Sequence, residues 1–215
     1  MKKFKKIILI VADSLGIGGA KDSALYGDLN TNTLGNIVKE CPDIVMPNLE
    51  KLGIRHFLGE KVAPTAKLAR LTEISVGKDT LTGHFEMMGL KVDKPFPSFT
   101  DTGFPKELID ALEKFSGRKV IGNVSASGTE IIKELGMEQL ETGALTVYTS
   151  ADSVLQIAAN EEIIPLDELY KICSYARQIT IENPEWMVGR IIARPFVGTG
   201  KGAFTSAYDV MNNWG

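Results

Sequence analysis

The chain has 215 residues, with 24 Lys and Arg against 27 Asp and Glu and a net charge of −3. There is no basic excess to track a phosphate backbone, so no nucleic acid is expected as a partner. No run approaches the ~20 apolar residues of a membrane span, so no membrane is expected either. Hydrophobic residues at 44% and charged residues at 24% are ordinary for a globular protein. The expectation is a cytoplasmic α/β chain with a sizeable core, in one large or two small domains. Cys41 and Cys173 stand far apart without CxxC spacing, which favours reduced thiols over a disulfide or a zinc site.

Lysines precede a short apolar run at 7–11, too brief for a secretory h-region of ~7–15 residues once Ala12 and Asp13 end it. The run predicts a buried strand with Asp13 exposed at its end. A short helix is expected over 34–39, capped by Asn32 or Thr33, and another from Pro47 to Leu52, stopped by Gly53. Alternation over 67–73 predicts a strand. A helix is expected to begin near Thr82, just after Thr80, and to end at Gly89. Thr82 is read as a cap, His84 as a first-turn hydrogen-bonder and Met87-Met88 as core; His56 is assigned to the surface.

The break at Lys94-Pro95-Phe96-Pro97 divides the chain into 1–97 and 98–215. Beyond it Pro105 opens a helix to Phe115, with Leu108, Ile109, Leu112 and Phe115 on one face and Gly117 as the stop. A short strand over 119–121, a helix over 129–135 ended by Gly136, a strand over 144–148, a long helix over 166–179 and a last strand over 190–193 complete the pattern. Arg190 and Arg194 read as a solvated pair when taken alone, and Arg177 and Lys171 as a solvated helix face. The alternation of strands and helices from 98 to about 205 predicts an α/β layer of its own.

The chemistry concentrates at residues 77–84, Gly-Lys-Asp-Thr-Leu-Thr-Gly-His. A threonine hydroxyl beside a helix start faces free N–H groups and the positive end of the dipole, a setting that suits a phosphorylated residue. Such a nucleophile needs activation, and a metal ion is one source. Taken alone, however, Asp-Thr-x-Thr-Gly is an ordinary helix cap. Two nucleotide motifs are excluded. A P-loop would need Gly at position 72 and Ser or Thr at 79, which are Thr and Asp; a dinucleotide fingerprint from Gly16 and Gly18 would need Gly at 21, which is Lys.

A longer series is more specific. Val11-Ala12-Asp13-Ser14-Leu15-Gly16-Ile17-Gly18, Asn32-Thr33-Leu34-Gly35, Met46-Pro47-Asn48-Leu49, the 77–84 stretch, Ala126-Ser127-Gly128-Thr129-Glu130, Tyr148-Thr149-Ser150-Ala151-Asp152-Ser153-Val154-Leu155-Gln156 and Val188-Gly189-Arg190-Ile191-Ile192-Ala193-Arg194-Pro195-Phe196 occur in that order. This series resembles the phosphopentomutase family of the alkaline phosphatase superfamily, from the N-terminus to about Gly198.

The resemblance implies an isomerase of nucleoside catabolism that interconverts ribose 1-phosphate and ribose 5-phosphate, and the 2-deoxyribose forms. It implies two manganese ions and a sugar bisphosphate activator. Thr80 would be the phosphothreonine, Asp13 and Thr80 metal ligands, and Ser150, Asp152 and Arg190 the residues that bind the pentose phosphate. The implied fold is part of a phosphatase-like core (1–97) followed by an α/β cap domain (98–215). Family members are longer, and their C-terminal part supplies most metal ligands, so the chain looks like a truncated member. It also departs from the family after Thr199, where Ser206 follows Phe204-Thr205 in place of a phosphate-binding arginine, and at Asn32 and Asn36. Other readings are another metal-dependent phosphatase or phosphomutase of the superfamily, and a non-catalytic remnant that binds sugar phosphate.

Overall fold

The computed structural model describes residues 5–12, 14–200, 204–206 and 213–214. The chain forms two compact units, Met1–Ile74 and Ser75–Gly215. The Lys94–Pro97 break therefore lies inside the second unit.

The first unit holds helices α1 (Thr33–Glu40) and α2 (Pro47–Leu52). Asn32 caps α1 by accepting from Gly35 N at 3.0 Å, and Pro47 and Gly53 bound α2, as their residue types require. Arg55 ties this region together: its Nε donates to Glu50 at 2.9 Å, its Nη1 to Glu60 at 3.0 Å and its Nη2 to Ile44 O at 3.2 Å. His56 is exposed, as expected.

The expected strands at 7–11 and 67–73 are not formed. Ile7, Ile8 and Ile10 are 84%, 72% and 85% exposed, and Leu71 is 89% exposed. An apolar run becomes a strand only when neighbours take its backbone groups, and the described residues of this unit contain no strand to pair with either run.

The second unit is mixed α/β. Helix α3 (Thr80–Met87) is followed by α4 (Lys106–Ser116), β1 (Val120–Ser125), α5 (Gly128–Thr142), β2 (Leu145–Thr149), β3 (Val154–Asn160), α6 (Leu166–Glu182) and β4 (Arg190–Val197). Two short strands, β5 (Thr205–Ser206) and β6 (Asn213–Trp214), complete one sheet. The order is β1-β2-β3-β4-β5, with β6 also on β4. β1 and β2 run parallel, as do β3 and β4; β2 and β3 are antiparallel.

Strand alternation sorts the side chains into two layers. Leu145 and Val147 of β2, Leu155 and Ile157 of β3 and Ile191 and Ala193 of β4 pack with Leu108, Leu112, Leu169, Ile172, Cys173 and Ala176 of α4 and α6. On the opposite face Tyr148, Ala158 and Phe196 pack with Ile131 and Ile132 of α5. The sheet is thus covered on both faces.

Several local expectations are corrected here. α5 does not stop at Gly136 but runs on to Thr142. Gly136 permits a close approach instead: a Cβ there would lie 2.6 Å from the Phe204 ring. Strand β3 escaped sequence reading altogether. Met87 and Met88 are 47% and 79% exposed rather than core. Arg177 is no solvated side chain: it donates to Val188 O at 2.8 Å, and burial holds its guanidinium below its usual value. Phe115, at 48% exposure, leaves the core face of α4 but stacks on Tyr175 with ring centroids 4.0 Å apart.

Candidate functional site

Sheet topology collects the predicted residues at one end of the second unit. Val154 pairs with Arg190, and Ser125 pairs with Thr149. The ends of β1 and β2 and the starts of β3 and β4 therefore meet along one edge. Ser150 and Asp152 lie on the β2–β3 turn, and Arg190 opens β4. The start of α5, with Ser127 and Gly128, lies directly after β1.

Asp152 and Arg190 form an ion pair, Nη2 to Oδ2 at 2.9 Å, with side chains 36% and 24% exposed. Arg190 is therefore not half of a solvated arginine pair. The pair uses one edge of the guanidinium, leaving donors for a further anion. Ser150 is half-buried, and its carbonyl accepts from Thr100 Oγ1 at 3.1 Å. Arg194 is half-buried against the start of α5, where a Cβ on Gly128 would come 2.6 Å from its guanidinium carbon. Its Nη2 donates to Gln156 Oε1 at 3.4 Å, and Tyr148 Oη donates to the same oxygen at 3.1 Å. Burial pushes the Tyr148 phenol up to about 12, partly offset by Arg194 beside it.

Thr80 reaches this end of the unit through its neighbour. Asp79, not Thr82, caps α3, accepting from Leu81 N at 2.7 Å. Thr80 is consequently the first residue of the helix rather than the residue before its first turn. Its side chain is exposed, beside the amides of a helix start. The Asp79 carboxylate also accepts from Ser153 N at 3.0 Å, across 74 positions of sequence. Thr82 is fully buried, with a hydroxyl that has no partner. His84 Nδ1 lies 2.7 Å from Thr80 O. A carbonyl only accepts, so Nδ1 carries the proton and His84 braces the first turn.

Asp13 lies outside the described residues. Among the described residues, no group of three or more His, Cys, Asp or Glu is placed to hold a metal ion. These side chains do not by themselves form the two-manganese centre that the resemblance implies. No helix of the described chain is long and apolar enough to cross a membrane. Sequence reasoning missed Asp79 and Ser153. The only signal was the position of Asp79 before a helix start, which marks a cap but not its distant second partner.

No protein-family model matches the chain. Curated relatives do. It is 55% identical over 209 residues to the phosphopentomutase of Clostridium botulinum, covering 95% of this chain and 52% of that protein. It is 54% identical to the phosphopentomutase of Clostridium beijerinckii and 55% to that of Clostridium perfringens, with the same coverage. The chain spans about half the length of the curated relatives it matches. Over nearly all of its own length, this chain is homologous to phosphopentomutases.

Proposed function

We propose that the chain carries the phosphoryl-exchanging threonine and the sugar-phosphate contacts of a phosphopentomutase, an isomerase that interconverts ribose 1-phosphate and ribose 5-phosphate and their 2-deoxy forms. The supporting observation is the Asp152–Arg190 pair, at 2.9 Å, on the same end of one compact unit as the turn that presents Thr80. In this reading Arg190 grips the phosphate with its free donors, while Asp152 accepts from sugar hydroxyls. Ser150 lines the same turn. Phospho-Thr80 gives its phosphoryl group to the free hydroxyl of a pentose monophosphate: the Thr80 Oγ–P bond breaks, a sugar O–P bond forms, the hydroxyl proton ends on Thr80 Oγ, and the sugar becomes a bisphosphate. Thr80 Oγ then recovers a phosphoryl group from the other end of that sugar. A sugar bisphosphate would prime the cycle by phosphorylating Thr80. Positioning and electrostatics would carry most of the rate.

The proposed domain roles are a phosphatase-like part at 1–97 and a cap at 98–215, in a cytoplasmic protein. Two manganese ions, with Asp13 and Thr80 among their ligands, belong to the family reading. The described residues lack a three-ligand group, and this favours a second reading for the chain on its own, sugar-phosphate binding with little or no turnover.

An NMR titration of the chain with ribose 5-phosphate tests the binding part. Amides at 150–152 and 190 should shift at millimolar ligand, and silence there would refute it. Intact-mass analysis after incubation with ribose 1,5-bisphosphate tests the nucleophile: an adduct that persists in Thr80→Ala would show that Thr80 is not the phosphorylated residue.

A further inference from the structure

Each of three predicted site residues stands next to a member of one small hydrogen-bonded cluster. Thr80 follows Asp79, Asp152 precedes Ser153 and Arg190 follows Gly189. Asp79 Oδ2 accepts from Ser153 N at 3.0 Å, while Oδ1 accepts from Leu81 N at 2.7 Å. Gly189 N donates to Ser153 O at 2.9 Å and to Ser153 Oγ at 3.2 Å. Ser153 Oγ donates in turn to Pro97 O. Gly189 lets the backbone come close to the β2–β3 turn: a Cβ there would stand 3.1 Å from Ser153 O, and 3.6 Å, an ordinary contact, from both Asp79 oxygens. From behind, Arg177 holds Val188 O at 2.8 Å.

We propose that Asp79 is a positioning residue that fastens the Thr80 turn to the Asp152–Arg190 pair, so that nucleophile and sugar-phosphate contacts move as one body. This rests on the phosphopentomutase reading for what the site binds, but the fastening is a property of the chain itself. A helix cap alone uses one carboxylate oxygen. The second oxygen here spans to a residue 74 positions away, and that residue directly follows Asp152. A carboxylate that accepts two backbone N–H groups makes two charge-assisted bonds. Losing it frees the helix start and the β2–β3 turn together.

Amide exchange in the ligand-free chain tests the fastening. Asp79→Ala should speed exchange at Ser153 and Leu81 by about tenfold or more, the loss expected for a bond to a charged acceptor. Leu155 and Ile157 in the core should be unchanged. If Leu155 also exchanges faster, the variant has loosened globally, and Asp79→Asn decides instead. Its side chain keeps the shape but has one acceptor oxygen in place of two, so it can serve Leu81 N or Ser153 N but not both, and exchange should quicken at one of them. Unchanged Ser153 exchange in a folded Asp79→Ala chain, or unchanged exchange at both Ser153 and Leu81 in Asp79→Asn if the first variant is loosened, overturns the proposal.

A titration with ribose 5-phosphate supplies a readout that a purely structural role would not move. In the native chain Leu81 should shift with the same concentration dependence as Arg190. In Asp79→Ala, Asp152 and Arg190 should still titrate, with Kd within about threefold because both Asp79 oxygens are spent on backbone amides, while Leu81 stops following. Leu81 following unchanged would refute the coupling. Should Asp152 and Arg190 fail to respond in the native chain, the functional reading falls, and the exchange data alone decide the fastening.

Discussion

Replacing Asp152 with alanine should push two ligands in opposite directions. The Asp152 carboxylate lies 2.9 Å from one edge of the Arg190 guanidinium. A phosphate on the opposite edge would sit about 6 Å from that carboxylate. Between partly exposed charges screened by water and salt, such a repulsion is worth about 1 kcal/mol. Removing the carboxylate should therefore tighten inorganic phosphate about fivefold. Ribose 5-phosphate gains the same relief but loses the acceptor for its hydroxyls, worth about 1.5–3 kcal/mol. Its affinity should fall by about 2-fold to 30-fold. Arg190→Ala should weaken both ligands by about tenfold or more, since each loses the charge-assisted contact. Arg190→Lys should restore only part of that, lacking the bidentate fork. Calorimetric titrations at about 50 mM and about 300 mM salt make the measurement, and the phosphate gain should shrink at high salt. If Asp152→Ala moves both ligands in the same direction, Asp152 is not the sugar-side partner of Arg190.

Three further outcomes are expected. Thr82→Val should raise stability by about 1 kcal/mol, since it replaces a buried, partnerless hydroxyl with an isosteric methyl; a lower melting temperature would show that the hydroxyl is satisfied in solution. Thiol titration of the native chain should label exposed Cys41 promptly and spare Cys173, whose thiol burial pushes well above its usual value, so both reacting at equal rates would contradict the packing of α6. Lys119, followed by the Val120 amide, holds the Glu113 carboxyl below its ordinary value. Its contribution to stability is thus present above the unfolded value and lost as pH falls below it; melting curves from about pH 6 down to about pH 3.5 should fall less steeply for Glu113→Gln, and parallel slopes would refute the assignment.

The elements legible in sequence carried their own punctuation. Asn32, Pro47 with Gly53, and Pro105 with Gly117 mark helix ends through local chemistry, and the observed boundaries agree to within a residue or two. β3 was invisible because it is buried along its whole length; a strand covered on both faces shows no alternation, and Gln156, Ala158, Ala159 and Asn160 are poor strand formers. Gly136 was misread because a glycine that admits a ring looks the same in sequence as one that ends a helix. Residues 7–11 have the composition of a buried strand, but a strand needs partners that composition cannot supply. At the site, Thr80 could be singled out by its setting beside a helix start, Asp152 and Arg190 only through resemblance, and their spacing says nothing of the Ser153–Asp79 bond that joins two of their segments.

The bare stretch at residues 7–11 also bears on how the chain behaves at high concentration. Ile-Ile-Leu-Ile-Val is uncharged, lacks proline, and leaves Ile7, Ile8 and Ile10 largely in water. Short windows of this kind stack readily into intermolecular sheets. Lys5 and Lys6 stand immediately before it, both exposed, and act as gatekeepers whose mutual repulsion disfavours in-register stacking. That protection is electrostatic, so it weakens as added salt shortens the screening length. Buffers of low ionic strength should therefore keep the chain dispersed, and acetylation of those two lysines would remove its main guard against fibrillation.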